Sequence, residues 1–197
     1  MKNGNPVFGV EPNERMRLAA ELLLAAYPNF LSIDGSAEAT TLSSSSFEFV
    51  VAGQAFHWFD QQKACAEFGR ILKPDGWVAL VWNERRLESS PFLCAYEDLL
   101  VRFGTDYGNV RHENVTAGLA TFFATNQMKT AKFENLQFFD LEGLRGRILS
   151  TSYAPRPGDP NFTAMMNELE TLFRKYARNE TITIEYDTAV YYAKLSR

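Results

Sequence analysis

The stretch FEFVVAGQAFHWFD, residues 47–60, decides the fold because of what surrounds it. Residues 47–56 are densely apolar, which is typical of a strand covered on both faces in a parallel sheet. A helix is predicted over residues 61–72, KPDG (73–76) is predicted as a turn, and WVALVWN (77–83) as another buried strand. A strand, a helix and a strand in succession predict an α/β sheet.

The same alternation extends upstream. Residues 7–10 (VFGV) are predicted as a short buried strand, and an amphipathic helix follows with Asn13 as its N-cap. Residues 29–35 (NFLSIDG) form a weaker strand candidate, and residues 36–46 a polar loop. We therefore predict an α/β fold with a doubly wound, mostly parallel sheet.

Downstream of residue 83 the regular alternation of predicted strands and helices ends. Helices are predicted over 91–104, 116–124 and 162–178, and residues 105–114 as a loop. KFENLQFFDLE (132–142) and TITIEYDTAVYYAKL (181–195) have strand-like composition. Without a repeat or linker, one domain is predicted over 1–197, with residues 84–130 as a helical insertion over an acceptor pocket.

Composition excludes several classes of protein. The net charge of the 197 residues is −4, and no cluster of Lys and Arg suggests nucleic-acid binding. No apolar run is long enough to span a membrane, and the first residues lack the apolar core of a signal peptide. Cys65 and Cys94 lack metal-ligand spacing and are predicted as free buried thiols. A cytoplasmic protein that binds no metal, membrane or nucleic acid is expected.

Four segments together resemble one family. VFGVEPNERM (7–16), SAE (36–38), FEFVVAGQAFHWFD (47–60) and EFGRILKPDGWVALVWN (67–83) resemble the class I S-adenosylmethionine-dependent methyltransferases of the methyltransferase-11 type. The tail from residue 144 onward resembles the C-terminal part of bacterial members. The resemblance implies a seven-stranded sheet ending in an antiparallel hairpin, with S-adenosylmethionine across the carboxyl ends of the strands, where open α/β sheets bind ligands.

The resemblance assigns a cofactor role to Glu11, with Pro12 beside it. In the family an acidic residue at the end of the second strand accepts hydrogen bonds from both ribose hydroxyls, and Glu11 matches that position. A carboxylate offers two acceptor oxygens to two neighbouring hydroxyls. Nicotinamide dehydrogenases use a similarly placed acid, and a solvated strand end would have the same sequence, so Glu11 alone does not identify the cofactor.

Two further segments are implied in cofactor binding. Ser36, Ala37 and Glu38 match the family loop that recognises the adenine edge, although many relatives have Asp where Ser36 stands. Gln54 and Ala55 end the next strand, where the methionine part of the cofactor lies in the family. An ordinary turn is the alternative for the first segment.

His57, Trp58 and Phe59 are predicted to line the acceptor pocket. His57 is the candidate catalytic base, because its unperturbed pKa lies near neutrality, but a structural histidine satisfies the same pattern. Core packing is an equally good interpretation of Trp58 and applies to Phe59 as well. Methyl transfer from a sulfonium requires neither a metal nor a covalent nucleophile, so the lack of a strong catalytic motif does not count against the assignment.

The resemblance also implies a first strand and a glycine-rich loop before residue 7, and the sequence begins MKNGNP. We therefore expect the sheet to lack its central first strand, and S-adenosylmethionine binding to be weak or absent. Three arrangements are open: the strands at 7–10 and 47–53 pair directly; another chain, such as a second copy in a homo-oligomer, covers the exposed edge; or the chain is a fragment of a longer gene product.

Three functions follow from these patterns. The leading one is methyl transfer from S-adenosylmethionine to a small-molecule acceptor, impaired here by loss of the glycine-rich loop. The alternative is a non-catalytic methyltransferase-like protein that acts through association. A nicotinamide-dependent oxidoreductase is the third, and the adjacent AFHWF and LKPDG segments argue against it.

Overall fold

A computed structural model describes residues 2–105, 107, 115–123 and 128–195. Strands and helices alternate through the first half of these residues. The strands are β1 (Val7–Val10), β2 (Phe30–Ile33), β3 (Phe47–Gly53), β4 (Leu72–Arg85), β5 (Lys129–Phe139) and β6 (Ile182–Lys194). The helices are α1 (Glu14–Leu23), a 3-10 turn (Phe56–Trp58), α2 (Gln61–Ile71), α3 (Pro91–Phe103), α4 (Val115–Phe122), α5 (Leu141–Leu149) and α6 (Phe162–Tyr176).

Helix starts follow local capping chemistry. The Asn13 side chain accepts hydrogen bonds from the backbone N–H groups of Arg15 and Met16, which confirms Asn13 as the N-cap of α1. Asp60 caps α2 in the same way. Ser90 caps α3, where Pro91 occupies the first turn and its missing N–H costs nothing.

The strands form two sheets. β1 and β2 pair in parallel, with Val7 opposite Phe30 and Val10 opposite Ile33. The second sheet has the order β3-β4-β6-β5. The α/β fold is therefore confirmed, and β5 and β6 are neighbours as a terminal hairpin requires. β1 and β3 lie in different sheets, so the first of the three arrangements, direct pairing of these two strands, is not the one observed.

The chain divides into two compact units. The first comprises Met1–Leu80, Gly118–Lys129 and Tyr191–Arg197. Its core is an aromatic cluster around Phe122, whose ring lies 4.8 Å from that of Phe56 and 6.1 Å from that of Phe68. Both contacts are edge-to-face, the geometry that aromatic quadrupoles prefer.

The second unit comprises Val81–Ala117 and Thr130–Val190. Its core forms between α3, α5, α6 and the inward-facing residues of β6. Leu93, Leu99, Leu144, Met165 and Leu169 are among its fully buried side chains. The helical predictions for α3 and α6 are thereby confirmed, whereas α5 was missed because its two glycines and three charged residues obscure the apolar period.

Two sequence predictions are wrong. Residues 73–76 (KPDG) are not a free turn but belong to β4. Lys194 of the neighbouring β6 bonds Asp75 at 2.8 Å, so pairing across the sheet overrides local turn propensity. The cysteines are free but not buried, since Cys94 is exposed and Cys65 half-buried.

Helix α1 has an apolar stripe that the described residues do not cover. Leu22 and Leu23 are 80% and 79% exposed, and no residue of α1 is buried. Of the predicted loop at 105–114, only Thr105 and Tyr107 lie within the described residues.

Candidate functional site

The first unit contains a cleft of about 910 Å³ that we call the β1–β3 cleft. One side is formed by Val7, Phe8 and Val10 of β1, and the other by every residue of β3. Glu11 and Pro12, which follow the end of β1, also line it. The carboxyl end of β1 therefore opens into the cleft, as expected for an α/β binding site.

Glu11 is fixed in place by its backbone and its carboxylate. Its N–H donates to the carbonyl of Ile33 at 3.1 Å, and Arg17 donates to its carbonyl oxygen at 2.8 Å. One carboxylate oxygen accepts the N–H of Asn13 at 2.8 Å. Since a carboxylate has about four acceptor positions, Glu11 retains capacity for hydroxyl donors.

The turn at residues 36–39 forms a second part of the lining. The backbones of Ser36 and Ala39 exchange two hydrogen bonds of 3.2 Å. Gly35 is required before this turn, because a Cβ there would lie 2.9 Å from the Ala39 carbonyl oxygen. Ser36 has thus used its backbone N–H, and the N–H of Ala37 makes no backbone hydrogen bond within the described residues.

Glu38 is the second carboxylate of the cleft. Burial acts to raise its pKa, but hydrogen bonds from Ser36 and from the backbone N–H of Asp60, at 2.9 Å, outweigh burial and lower the pKa. Glu38 is therefore ionised at neutral pH. With Glu11 and Glu48 it makes the lining acidic, and no Lys, Arg or His is among the lining residues that the structure describes.

A buried network that sequence reasoning missed supports this turn. The carboxylate of Glu67 on α2 accepts the backbone N–H of Thr40 at 2.9 Å and its hydroxyl at 2.5 Å. Arg70 donates to the same carboxylate through Nε and Nη2, both at 2.7 Å. These hydrogen bonds lower the pKa of Glu67 to about 2, and the bonds from the Arg70 guanidinium have the largest effect. The spacing of Glu67 and Arg70 by three helical residues was the available signal.

The residues predicted after β3 divide into two groups. Ala55, Trp58 and Phe59 line the cleft, whereas Gln54 and His57 are exposed and are not among its lining residues. Gln54 has a left-handed backbone with φ of 54°, a conformation that side chains disfavour and that recurs at functional sites.

Trp58 and Phe59 differ in packing. Trp58 is 75% exposed, which excludes the core-packing interpretation. Phe59 is half-buried against Phe56 and Phe68, with ring centroids 6.0 and 6.1 Å away. Phe59 therefore anchors this wall of the cleft, while Trp58 presents an apolar surface to a molecule bound in the cleft. The His57 ring lies 4.7 Å from that of Trp58.

The second unit contains a buried charged cluster. Arg85 donates to Glu97 at 2.5 Å and to the hydroxyl of Tyr107 at 2.7 Å, and its guanidinium carbon lies 4.8 Å from the centre of the Tyr96 ring. Burial raises the pKa of Tyr96 and Tyr107, so both are neutral phenols. Glu97 compensates the charge of Arg85, but the Nη1 atom of Arg85 is buried and has no hydrogen-bond partner in the part of the chain that the structure describes.

Two classes of site are absent from the described part of the chain. Its acidic, cysteine and histidine side chains do not gather into a group of three or more that could hold a metal ion. None of its helices combines the length and the apolar character needed to cross a membrane.

Comparison with known proteins agrees with this geometry. Residues 1–80 match the family model described as a methyltransferase domain. An uncharacterized methyltransferase of Schizosaccharomyces pombe is 29% identical over 158 residues, which are 80% of this chain and 62% of that protein. One from Mycobacterium tuberculosis is 36% identical over 85 residues, 43% of this chain and 34% of its own length.

Residues 1–80 therefore resemble a methyltransferase domain. Solved structures extend the fold to almost the whole chain. A proposed type II methyltransferase from Anaeromyxobacter dehalogenans superposes with a TM-score of 0.66 at 18% identity, covering 97% of this chain and 81% of its own. A proposed methyltransferase from an antibiotic biosynthesis pathway of Anabaena variabilis gives a TM-score of 0.64 at 22% identity, covering 98% and 83%. The chain spans less than two thirds of the length of the two methyltransferases matched by sequence.

The residues that line the cleft fit the nucleoside part of S-adenosylmethionine, the cofactor that the resemblance to methyltransferases implies. Glu11 retains acceptor positions for sugar hydroxyls, and Ala37 has a backbone N–H without a backbone acceptor at the turn. The acidic lining suits a positively charged sulfonium.

Proposed function

We propose that this chain binds S-adenosylmethionine in the β1–β3 cleft, at the carboxyl ends of the two strands, and transfers a methyl group to a small-molecule acceptor. The observation that carries the proposal is that Glu11, Ser36–Glu38 and Ala55, which are far apart in sequence, line one cleft. The acidic lining argues for a small acceptor rather than nucleic acid, because a phosphate backbone would be repelled.

The chemistry requires little covalent participation from the protein. S-adenosylmethionine supplies a methyl group on a cationic sulfur, which is already an activated leaving group. In the proposed site Glu11 holds the sugar, the backbone N–H of Ala37 contacts the adenine edge, and Ala55 lies beside the methionine part. Trp58 and Phe59 orient the acceptor and exclude water, which is the main source of rate in such a transfer.

His57 remains our candidate for the residue that accepts a proton from the acceptor. It is exposed and adjacent to Trp58 in the 3-10 turn, so an acceptor lying on Trp58 would be within reach of the imidazole. Substitution His57→Gln should lower kcat with little change in KM if the role is proton transfer. An unchanged kcat would exclude that role while leaving the methyl-transfer proposal intact.

The cofactor proposal is tested by ligand-observed NMR titration of S-adenosylmethionine. Glu11→Gln keeps a side-chain oxygen that accepts the N–H of Asn13 but removes the negative charge. Hydrogen bonds to a charged group contribute about 1.5–3 kcal/mol. The dissociation constant of S-adenosylmethionine should therefore rise roughly 10- to 100-fold. Glu14→Gln is the matched control, since Glu14 is an exposed carboxylate in the first turn of α1 and does not line the cleft. Equal losses in both variants, or none in Glu11→Gln, would refute the proposal, and tighter binding of NADH would favour the oxidoreductase alternative.

We further propose that these 197 residues bind the cofactor weakly, with a dissociation constant on the order of 0.1–1 mM. The support is the open cleft between β1 and β3, where no strand among the described residues supplies backbone donors to one side of the site. A micromolar dissociation constant in the same titration would refute the proposal of weak binding but would leave the proposed binding site intact.

The second candidate function is association without catalysis. It is favoured by the exposed apolar side chains of Leu22 and Leu23 on α1, which resemble an uncovered interface. Size-exclusion chromatography with light scattering tests it: self-association abolished by Leu22→Lys with Leu23→Lys supports this function, and a monomer at all concentrations argues against self-association through α1.

A further inference from the structure

The buried cluster around Arg85 in the second unit contains a hydrogen-bond donor that has no acceptor. Nη2 of Arg85 donates to Glu97 at 2.5 Å and to the Tyr107 hydroxyl at 2.7 Å. Nη1 of the same guanidinium is buried and has no hydrogen-bond partner among the described residues, and the Arg85 side chain is only 10% exposed. A buried donor without an acceptor costs free energy, so an acceptor supplied by a ligand would be stabilising.

A second arginine belongs to the same cluster. Arg147 on α5 is half-buried and donates through Nε to the Tyr186 hydroxyl at 3.3 Å. The groups that act on it electrostatically are phenols, those of Tyr96, Tyr153 and Tyr186, and none is a carboxylate of the described residues. The charges of Arg85 and Arg147 both act on the phenols of Tyr96 and Tyr153. The two guanidinium groups therefore face one group of tyrosines.

The tyrosines supply aromatic surface and neutral hydroxyl groups. The guanidinium carbon of Arg85 lies 4.8 Å from the centre of the Tyr96 ring, and the rings of Tyr107 and Tyr153 have centroids 4.9 Å apart. Burial raises the pKa of Tyr96, Tyr107 and Tyr153, so their hydroxyls stay protonated at neutral pH. Protonated phenols do not repel an anion as phenolates would.

The charge of the cluster selects an anion with a single negative charge. Among the described residues, Arg85 and Arg147 contribute positive charge, and Glu97 compensates only that of Arg85. A carboxylate would balance the remaining charge and would accept hydrogen bonds from guanidinium groups. A phosphate dianion would leave a surplus negative charge in a buried place. A buried water would accept a hydrogen bond from Nη1 but would leave the positive charge unbalanced.

We propose that the second unit binds a small monocarboxylate at this cluster, with Nη1 of Arg85 and the guanidinium of Arg147 donating to its oxygens. The tyrosine rings cover the apolar part of the ligand, and the half-buried side chains of Arg147 and Tyr153 give access from solvent. All of these residues lie within the second unit. The proposal therefore does not depend on cofactor binding in the β1–β3 cleft.

The test is ligand-observed NMR on the full chain without S-adenosylmethionine, with acetate and benzoate as carboxylate probes of two sizes. Acetamide and benzamide are the controls, because each keeps the shape of its probe but has no charge. At least one of the carboxylates should bind saturably, and at least about tenfold more tightly than its amide, because hydrogen bonds to charged groups are the stronger ones. Inorganic phosphate should bind more weakly than that carboxylate.

Backbone amide chemical shifts locate the bound probe. Changes should concentrate around Arg85, Tyr96 and Arg147. The amides of Glu11 and Glu38 in the β1–β3 cleft should not respond, since the acidic lining of that cleft repels an anion.

Protein variants test the two arginines. Arg147→Gln removes the uncompensated charge at a half-buried position and should weaken carboxylate binding at least about tenfold. Arg85→Lys keeps a cation beside Glu97 but removes Nη1, and it should weaken binding to a similar extent. Arg145→Gln is the matched control, because Arg145 lies on the same helix and is already paired with Glu170, so binding should be unchanged.

Circular dichroism checks that each variant is folded. If Arg85→Lys does not fold, Tyr186→Phe replaces it: this variant keeps the ring and should weaken binding, since the Tyr186 hydroxyl orients Arg147.

Four results would overturn the proposal. They are no binding of either carboxylate, amides or phosphate that bind as tightly as the carboxylates, equal losses in Arg145→Gln and Arg147→Gln, and chemical shift changes confined to the first unit. Carboxylate binding by a chain that does not bind S-adenosylmethionine would support this site and refute the proposed function. Cofactor binding without carboxylate binding would do the opposite, so the two failures are distinguishable.

Discussion

Substitution Glu67→Gln tests whether the buried network holds the turn that lines the cleft. The pKa of Glu67 is about 2, against an ordinary value of 4.5. At 1.36 kcal/mol per pKa unit the difference corresponds to at most ~3.4 kcal/mol. The Glu67 side chain is 10% exposed but its partner Arg70 is 40% exposed, so solvent screening reduces the expected loss to about 2 kcal/mol at pH 7.

The sign of the pH dependence follows from the lowered pKa. As the pH falls, Glu67 is protonated at a higher pH in the unfolded chain than in the folded protein. The contribution of Glu67 to the free energy of unfolding is therefore complete above about pH 5 and is lost as the pH falls toward 2. At about pH 3 the difference between the wild type and Glu67→Gln should have shrunk to roughly half its value at pH 7.

The assay is urea denaturation followed by tryptophan fluorescence at these two pH values. Glu48→Gln is the control, because Glu48 also pairs with a cation but is exposed, so its substitution should leave the stability nearly unchanged. A Glu67→Gln variant as stable as the wild type at pH 7, or a difference independent of pH, would refute the argument. Faster hydrogen exchange at the Thr40 amide should accompany the loss, since Thr40 N–H donates to Glu67.

Three further predictions concern the two units. Phe56→Ala should lower the free energy of unfolding by about 3–5 kcal/mol in chemical denaturation, because it empties a buried site at the centre of the aromatic cluster. Glu97→Gln should cost about 3 kcal/mol in the same assay, since it leaves the buried guanidinium of Arg85 without its counter-charge; a loss below 1 kcal/mol would show that Arg85 is solvated. Cys94 should react with a thiol reagent before Cys65, whose pKa is raised by burial, and the reverse order would contradict the burial of Cys65.

Local patterns in the sequence were sufficient to predict most of the elements. β1 coincides with the predicted strand at residues 7–10, and Asn13 caps α1 as predicted, because strand and cap signals depend on neighbours within a few residues. The sequence also indicated the resemblance to methyltransferases, since the motifs at residues 36–38 and 47–60 belong to the segment that matches the methyltransferase domain. Its position-by-position resemblance placed Glu11 and Ala55 on a common cleft before any contact was known.

The features that local sequence patterns did not predict depend on contacts between residues that are far apart in the chain. Residues 73–76 have turn propensity but join β4, because pairing with a neighbouring strand supplies hydrogen bonds that the local sequence does not encode. The bond from Thr40 to Glu67 spans 27 residues and has no sequence period. Whether β1 and β3 pair with each other is likewise a question of sheet geometry. The apolar composition of each strand predicts that it is a strand, but only the tertiary arrangement determines which strands are neighbours.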